Sequence, residues 1–283
     1  MKPVVSVIIP TQARPRMLSE ALKSVRAQTF KDFEIIVVIN GADNPHTLQS
    51  KLEAAGCNLI RVQQGSIAVA LNAGIRTAQG EWLAFLDDDD LWEPNWIEVA
   101  LKAADASEAD VIFSDAILFD ERGGTPNAPR RPPSGLSAKA AMTLKNYAGG
   151  CSTTIAKRAA VMAIGGFDPT FVSPDWDLWM RLAWSYRVAW VDAHLVWVRV
   201  HSQNTSKRIS WARTTLHIQS KAIKNLPTDL RYIRFPLLLE MIKVAMKGAE
   251  TYVRRNWLHR LKRKKSARKG ELKYPPGLGT DKR

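Results

Sequence analysis

Leu83–Asp90 reads LAFLDDDD, an apolar run that ends in four adjacent carboxylates. The apolar part predicts the end of a buried strand. Because four like charges in a row repel one another, we expect a cation to compensate them, and hard carboxylate oxygens suit Mg²⁺ or Mn²⁺. The carboxyl end of a strand is also where open α/β sheets bind ligands. The alternative is a solvated acidic turn that precedes a helix beginning near Glu93 and Pro94.

The chain before this stretch alternates between apolar runs and segments with apolar residues at helical spacing. The predicted strands are Val4–Ile9, Phe33–Ile39, Leu59–Gln63 and Glu81–Leu86. The predicted helices are Met17–Gln28, Thr47–Ala55 and Gln64–Ala78. Strands that are apolar throughout are typical of a parallel sheet covered by helices on both faces. The sequence therefore predicts an α/β fold built on a mostly parallel, Rossmann-like sheet.

The second half predicts further elements of the same domain, followed by an extension. The expected elements are a helix at Pro94–Ala106, a strand at Asp110–Ser114, an irregular loop at Gly123–Pro133, a helix from Ser173 to Ser185, and strands at Val188–Val191 and Val196–Val200. Helices at Ile209–Leu226 and Arg234–Trp257 then indicate a helical extension over residues 206–252. Residues 253–283 form a basic tail.

Charge is concentrated in that tail. The 283-residue chain has a formal net charge of +14, and residues 253–283 hold twelve Lys or Arg against Glu271 and Asp281. Such a tail is either solvated or attracted to an anionic membrane surface, with Trp257, Leu258 and Leu261 adding apolar contact. It has no nucleic-acid recognition module, so no nucleic-acid partner is expected.

The remaining composition favours a cytoplasmic protein, and the basic tail adds the expectation of a peripheral location on the inner face of the membrane. The start of the chain has no signal-peptide pattern, and no run is long enough to span a bilayer. Cys57 and Cys151 are far apart without metal-type spacing, so both are expected to be reduced.

Several ordered motifs resemble those of the family 2 glycosyltransferases. They are VSVIIPT (residues 5–11), SVRAQT (24–29), DFEIIVV (32–38), ALNAG (70–74), GEWLAFLDDDD (80–90) and DWDLWMRL (175–182). The resemblance covers roughly residues 3–205. It implies a GT-A fold, with a nucleotide-binding half at 1–115 and an acceptor half at 116–205. It also implies an inverting enzyme that uses a nucleotide-diphosphate sugar and Mg²⁺ or Mn²⁺.

The resemblance also assigns roles to individual residues. The Asp-x-Asp element maps onto residues 87–89, with Asp89 as the metal ligand and His201 completing the metal shell or touching a phosphate. The residues expected to hold the nucleotide are Pro10, Thr11, Arg14, Asn40, Asp87 and Asp88. Asn40 departs from the family, which usually has an Asp here, but an amide can still pair with a uracil or thymine edge. The alternatives are that Pro10 only ends the strand, that Arg14 is a solvated charge, and that Asn40 lies in a plain turn.

The catalytic base is assigned to Asp175, which occupies the position of the family's catalytic Asp. Pro174 replaces the usual preceding Glu and suits the first turn of a helix. A helix N-terminus favours the ionised carboxylate, which keeps Asp175 available as a base but weakens its basicity. Asp177 is the rival, although an (i, i+4) ion pair with Arg181 explains it more simply.

Two residues are assigned to the acceptor side. Gly150 lies in a loop where glycine allows close approach, or forms only a tight turn. Trp176 lines a sugar site, or belongs to the core.

These assignments predict transfer of a sugar to a hydroxyl of a cell-surface polysaccharide or lipid-linked glycan. A catalytically inert nucleotide-sugar-binding protein is the alternative, followed by a nucleic-acid-binding protein that uses its basic tail. A nucleotidyl or phosphoryl transferase on the same acidic site has no Walker-type loop to support it. The sugar, the base, the acceptor and the linkage are not predicted.

Overall fold

A computed structural model describes residues 2–12, 14–41, 50, 52–63, 65–121, 123–201, 211–248 and 251 of the chain. The strands are β1 (Val5–Thr11), β2 (Phe33–Asn40), β3 (Asn58–Val62), β4 (Trp82–Phe85), β5 (Leu91–Trp92), β6 (Val111–Asp120), β7 (Gly123–Pro126), β8 (Thr154–Lys157) and β9 (Val188–Arg199). The helices are α1 (Pro15–Arg26), α2 (Ile67–Thr77), α3 (Trp96–Ser107), α4 (Ala138–Leu144), α5 (Arg158–Ala163), α6 (Asp175–Ser185) and α7 (Trp211–Asn225).

One sheet joins the described strands in the order β3-β2-β1-β4-β8-β6-β9-β5, with β7 paired to β6. The first four strands are parallel, as the apolar runs predict. Beyond β4 the sheet is mixed, because β8 runs antiparallel to both β4 and β6 while β6 and β9 are parallel. The α/β fold with flanking helices is therefore confirmed, and the departure from a mostly parallel sheet belongs to the second half.

Two hydrophobic clusters cover the two faces of this sheet. Alternate residues of β1 point to opposite sides, so Val7 packs with α1 and α3 while Ile8 packs with α2 and α6. A strand buried on both faces favours apolar side chains at successive positions, which explains the run Val7–Ile9; the buried Ser6 hydroxyl is satisfied by a 2.6 Å hydrogen bond that it donates to Glu34. The carboxyl ends of β1, β2 and β4 consequently meet at one rim of the sheet.

The boundaries differ from the predictions where tertiary pairing extends a strand. The predicted strand Asp110–Ser114 continues to Asp120, and part of the predicted loop forms β7 in a hairpin with it. The two strands predicted between residues 188 and 200 are one strand, which β6 accompanies through an irregular register near Asp115. Residues 47–49 and 51 of the predicted helix Thr47–Ala55 lie outside the described residues, and residues 50 and 52–54 are helical.

The extension packs on the second half of the core. α7 is followed by a 3-10 turn at Thr228–Ile233 and by helical residues 234–248. Ile218 and Ala222 of α7 share a buried cluster with Met180 of α6. The basic tail lies outside the described residues. Among the helices that the structure describes, none combines the length and apolarity that a bilayer crossing requires.

Candidate active site

The four carboxylates lie in the turn that follows β4, at the rim where the parallel strands end. The backbone of Leu86 still follows the sheet, because its N–H donates to the Ile8 carbonyl over 3.1 Å. The turn then closes with a 3.1 Å hydrogen bond from the Asp90 N–H to the Asp87 carbonyl. Asp87, Asp89 and Asp90 each offer a carboxylate oxygen within 4.8 Å of the others.

Asp88 points away from that group of three, toward the end of β1. Its carboxylate accepts a 2.5 Å hydrogen bond from the Thr11 hydroxyl and forms an ion pair with Arg14. Burial raises the pKa of Asp88, and the Thr11 and Arg14 contacts act in the opposite direction. Three of the residues predicted to hold the nucleotide are thus in mutual contact, and Arg14 is not a solvated charge.

Asp89 joins the two halves of the site. Its Oδ2 lies 2.7 Å from Nη1 of Arg14 and 2.9 Å from Nε2 of His201. The residue predicted as metal ligand and the late histidine predicted to support it are 112 positions apart in sequence. The structure brings them into contact through β9, whose last residue, Arg199, donates its Nε–H to the Asp89 carbonyl over 2.8 Å.

The Asp90 carboxylate is fixed by hydrogen bonds from two residues that are distant in sequence. It accepts a 2.6 Å hydrogen bond from the Ser152 hydroxyl and a 2.9 Å bond from the Arg199 backbone N–H. Burial, with the charge of Asp89, raises its pKa to about 7, although the Ser152 and Arg199 contacts favour the ionised form. Ser152 also accepts a hydrogen bond from the Asp87 N–H over 3.0 Å. Ser152 therefore orients two residues of the acidic turn, a role that its sequence context did not predict.

Asp87 is the carboxylate whose ionised form a bound cation would stabilise most. Burial and the charges of Asp90, Asp89, Asp88 and Asp175 raise its pKa well above the usual range. Among the described residues, no hydrogen bond or ion pair to its carboxylate is found. Clustered oxygen ligands with uncompensated charge are the donor set that Mg²⁺ and Mn²⁺ prefer, so these residues fit a divalent cation.

Asp175 opens α6 and faces the acidic turn from the second half of the chain. The Ser173 hydroxyl donates to its Oδ1 over 2.7 Å. Its pKa is raised, because burial outweighs the Ser173 and backbone hydrogen bonds. The helix N-terminus alone predicts weakened basicity, and that expectation is wrong in sign because desolvation is the larger effect.

Cys151 lies among these carboxylates. Burial and the charges of Asp87, Asp175 and Asp90 raise the pKa of its thiol well above the usual value. The acidic turn and the start of α6 are therefore close enough to act on the same group. The sequence predicts a reduced core or near-core cysteine here, within a Gly-Gly-Cys-Ser run that resembles the family's acceptor-side loop.

The rival carboxylate, Asp177, is fully buried in ion pairs. Its oxygens lie 2.8 Å from Nε of Arg181 and 3.0 Å from Nζ of Lys221. The predicted (i, i+4) pair with Arg181 is present, and Lys221 reaches the same carboxylate from α7. These two ion pairs give Asp177 a structural role.

Two other predicted site residues, Trp176 and Asn40, have contacts that favour a structural role, and a third, Gly150, lies in open space. The Trp176 side chain is 7% exposed and donates its indole N–H to the Met142 carbonyl over 2.7 Å, as a core residue does. The Asn40 amide exchanges hydrogen bonds of 2.9 and 3.1 Å with the backbone of Gly65, at the end of β2. A side chain at Gly150 would meet nothing within 4 Å, so crowding within the chain does not require glycine there.

A mixed α/β sheet with an acidic turn after its fourth strand and a carboxylate facing that turn defines the GT-A class of glycosyltransferase. The chain belongs to glycosyltransferase family 2, because the family model "Glycosyl transferase family 2" matches residues 6–164. The predicted family is therefore confirmed.

The relatives of this chain include glycosyltransferases described as uncharacterized. One from Rickettsia conorii is 30% identical over 220 residues, which are 73% of this chain and 36% of that protein. YwdF of Bacillus subtilis is 30% identical over 190 residues, covering 65% of this chain and 69% of that protein. The matched region spans about a third of the length of the Rickettsia conorii protein and of two further Rickettsia relatives, from Rickettsia felis and Rickettsia bellii.

Solved structures share the fold at low sequence identity. TarS 1-349 of S. aureus in complex with UDP-GlcNAc matches with a TM-score of 0.68 and 20% identity, over 87% of this chain and 73% of that one. The mannosyltransferase PcManGT from Pyrobaculum calidifontis, in complex with GDP-Man and Mn²⁺, matches with a TM-score of 0.62 and 18% identity, over 91% and 81%. At these identities the likeness shows the fold alone.

Proposed function

We propose that this protein transfers a sugar from a nucleotide-diphosphate sugar to a hydroxyl of a cell-surface polysaccharide or lipid-linked glycan. Membership of family 2 supports the reaction type. The nucleotide sugars in the TarS and PcManGT complexes support the class of donor. The observation that carries the proposal is the cluster of Asp87, Asp89 and Asp90, whose carboxylate oxygens lie within 4.8 Å of one another and whose first member is close enough to Asp175 to be affected by its charge.

A divalent cation would be held by Asp89, with Asp87 and His201 as further ligands. Its chemistry would be that of a Lewis acid, which stabilises the charge on a departing diphosphate. Arg14 contacts both Asp88 and Asp89, so it is a second positive group at this point. Thr11, Pro10 and Asn40 at the ends of β1 and β2 would hold the nucleotide.

Asp175 would act as the catalytic base. It accepts the proton of the acceptor hydroxyl as that oxygen forms its bond to the anomeric carbon and the carbon–diphosphate bond breaks. A single displacement of this kind inverts the configuration at that carbon. The raised pKa helps, because a carboxylate that is harder to ionise is a stronger base. The Ser173 hydroxyl fixes the orientation of the carboxylate.

Replacing the base tests this assignment. Asp175→Asn should lower the rate of transfer by roughly 10³-fold, within the range attributed to a positioned base. Donor affinity, measured by calorimetry with Mn²⁺, should stay nearly unchanged because the amide keeps the size of the carboxylate. Asp192→Asn, at an exposed carboxylate of β9, is the matched control. Undiminished turnover in the Asp175 variant would refute the base assignment.

An inert nucleotide-sugar-binding protein is the second candidate, and Asn40 favours it. The family's usual carboxylate is absent at that position, and Pro174 replaces the usual Glu before Asp175. A labelled sugar donor separates the two candidates. Transfer of label to an acceptor supports the enzyme, whereas binding without transfer or hydrolysis supports the alternative.

The basic tail supplies a third part of the proposal, attachment to an anionic membrane surface. Each Lys or Arg near such a surface contributes about 1 kcal/mol. A lipid-linked acceptor would make that location useful to the transfer reaction. Nucleic acid is the less favoured partner of the tail, because charge alone gives no recognition module.

A further inference from the structure

Exposed apolar side chains are concentrated on one short segment of the extension. Six of the eleven large hydrophobic residues exposed among the described residues lie between positions 232 and 246. They are Tyr232, Phe235, Leu238, Leu239, Ile242 and Met246, with exposed fractions between 41% and 69%. We call the last five the apolar stripe. A contiguous patch of this kind marks an interaction site rather than ordinary surface.

The apolar stripe occupies a single face of the helical residues 234–248. Apart from the adjacent Leu238 and Leu239, its neighbouring members are spaced by three or four positions, which places all five on one side of the helix. The opposite face is buried against the core, because Leu237 packs with Ile218 and Ala222 of α7. A Cβ at Gly248 would lie 2.8 Å from the Cβ of Ala212, so the two helices are in close contact there. The helix cannot turn its stripe inward without losing this packing.

Basic residues flank the apolar stripe on both sides. At 100° per residue, Arg234 falls on one edge of it, and Lys243 and Lys247 fall on the other. Glu240 is paired with Lys243, with their charged atoms 2.8 Å apart. A groove beside the start of the helix is lined by Lys224, Arg231 and Arg234 together with two apolar residues of α7 and the turn after it. An apolar face bordered by cations is the pattern of helices that lie in a membrane interface.

We propose that the apolar stripe docks on an anionic lipid surface, with its flanking cations and the basic groove contacting lipid phosphates. A second copy of this chain fits less well, because two such faces would bring Arg234, Lys243 and Lys247 of both copies together. Residues 252–283, which follow in sequence, add twelve cations against two acids and increase that repulsion. The same charges are attracted to anionic lipid. The inference does not depend on the proposed sugar transfer.

The charged contacts and the apolar contacts with lipid respond differently to salt. Charges at the surface are screened at about 0.5 M NaCl, where the Debye length is only a few ångströms, whereas apolar burial is not weakened. The full-length protein should therefore bind vesicles containing roughly 30% phosphatidylglycerol in phosphatidylcholine, and part of the binding should persist at high salt. Co-sedimentation measures both fractions.

The triple variant Phe235→Ser/Ile242→Ser/Met246→Ser removes the centre of the apolar stripe. It should lower vesicle affinity by at least about tenfold and reduce the salt-resistant fraction, since three partly inserted side chains are lost. The control Met162→Ser/Val172→Ser changes exposed apolar residues away from the stripe and should bind as the unmodified protein does. Circular dichroism and thermal unfolding verify that both variants fold.

Three outcomes would overturn the proposal. They are absence of vesicle binding by the unmodified protein, undiminished salt-resistant binding by the folded triple variant, and a protein dimer that the triple variant dissolves while vesicle binding is unchanged. The last outcome, read by sedimentation velocity, would assign the apolar stripe to a second copy of the chain.

Discussion

At the scale of single residues, the acidic turn depends on groups that come from distant parts of the chain. Ser152 supplies a hydroxyl to Asp90 and accepts the Asp87 N–H, and Arg199 supplies two further donors to the same turn. Four adjacent carboxylates do not set their own orientation. These contacts aim Asp88 at the end of β1 and leave Asp87 and Asp89 beside each other.

Ser152→Ala should weaken the turn without unfolding the protein. Removing one donor from the buried Asp90 carboxylate is expected to cost about 1–3 kcal/mol. We expect lower Mn²⁺ affinity by calorimetry, in addition to a lower unfolding temperature. Ser114→Ala removes a buried hydroxyl of β6 that bonds to backbone carbonyls away from the site. That control should change the unfolding temperature alone. Equal Mn²⁺ affinity in both variants would contradict a positioning role for Ser152.

At the scale of elements, the loop before β8 contains two glycines with different tasks. Gly149 has φ +88°, and a Cβ there would lie 3.0 Å from the Thr153 hydroxyl oxygen. Gly150 has φ −92° and open space around its Cα. Conformation therefore explains the first glycine, whereas neither conformation nor crowding by the described residues requires the second.

Alanine substitutions separate these roles. Gly149→Ala should destabilise the fold by about 1–2 kcal/mol, because a left-handed backbone is strained for any residue with a Cβ. Gly150→Ala should leave the unfolding temperature nearly unchanged. If Gly150 borders the acceptor, its variant should raise KM for the acceptor and leave donor affinity intact. Unchanged acceptor kinetics in Gly150→Ala would remove that residue from the acceptor side.

A second element-scale link joins α7 to the core through Lys221. Its Nζ lies 2.6 Å from Asp168 and 3.0 Å from Asp177. Burial disfavours the Asp168 carboxylate, but hydrogen bonds from Lys221 and Thr170 outweigh it and lower the pKa to about 2. A folded-state pKa below the unfolded value contributes stability above about pH 4, and this contribution is lost as the pH falls toward 2.

Asp168→Asn should therefore lower the free energy of unfolding at pH 7 by roughly 1 kcal/mol, after allowance for its partial exposure. The difference from the unmodified protein should shrink as the pH falls below about 4, because the unfolded state then takes up the Asp168 proton while the native carboxylate, with its pKa of about 2, stays ionised. Urea unfolding at several pH values measures this difference in the free energy of unfolding, with Asp192→Asn as an exposed control. A difference independent of pH would show that the ion pair contributes nothing measurable.

At the scale of the whole molecule, the acidic turn is a source of instability that a cation converts into stability. The raised pKa of Asp87 means that its ionised form disfavours the folded state at neutral pH. A ligand that binds only the folded state stabilises it by about 2.7 kcal/mol at a concentration of 100 times Kd. Cation binding at the acidic turn and the stability of the fold are thereby linked.

Asp87→Asn should have opposite effects with and without metal. Without a divalent cation, the variant should unfold at an equal or higher temperature, because one like charge is removed. Saturating Mn²⁺ should raise the unfolding temperature of the unmodified protein by several degrees and that of the variant much less. Differential scanning calorimetry with and without chelator provides the measurement. An equal Mn²⁺ shift in both proteins would exclude Asp87 as a ligand.

The sequence alone determined the alternation of apolar strands and helices, the family, and the residues of the acidic turn, because these signals are local and period-dependent. The predicted ion pair of Asp177 with Arg181 is local in the same way. Only the tertiary structure decided what those residues contact. Antiparallel β8, the merged β9 and the contacts of His201 with Asp89 and Ser152 with Asp90 depend on pairing across long sequence separations. Desolvation also depends on the completed fold, which is why the pKa of Asp175 moved against the expectation from its helix terminus.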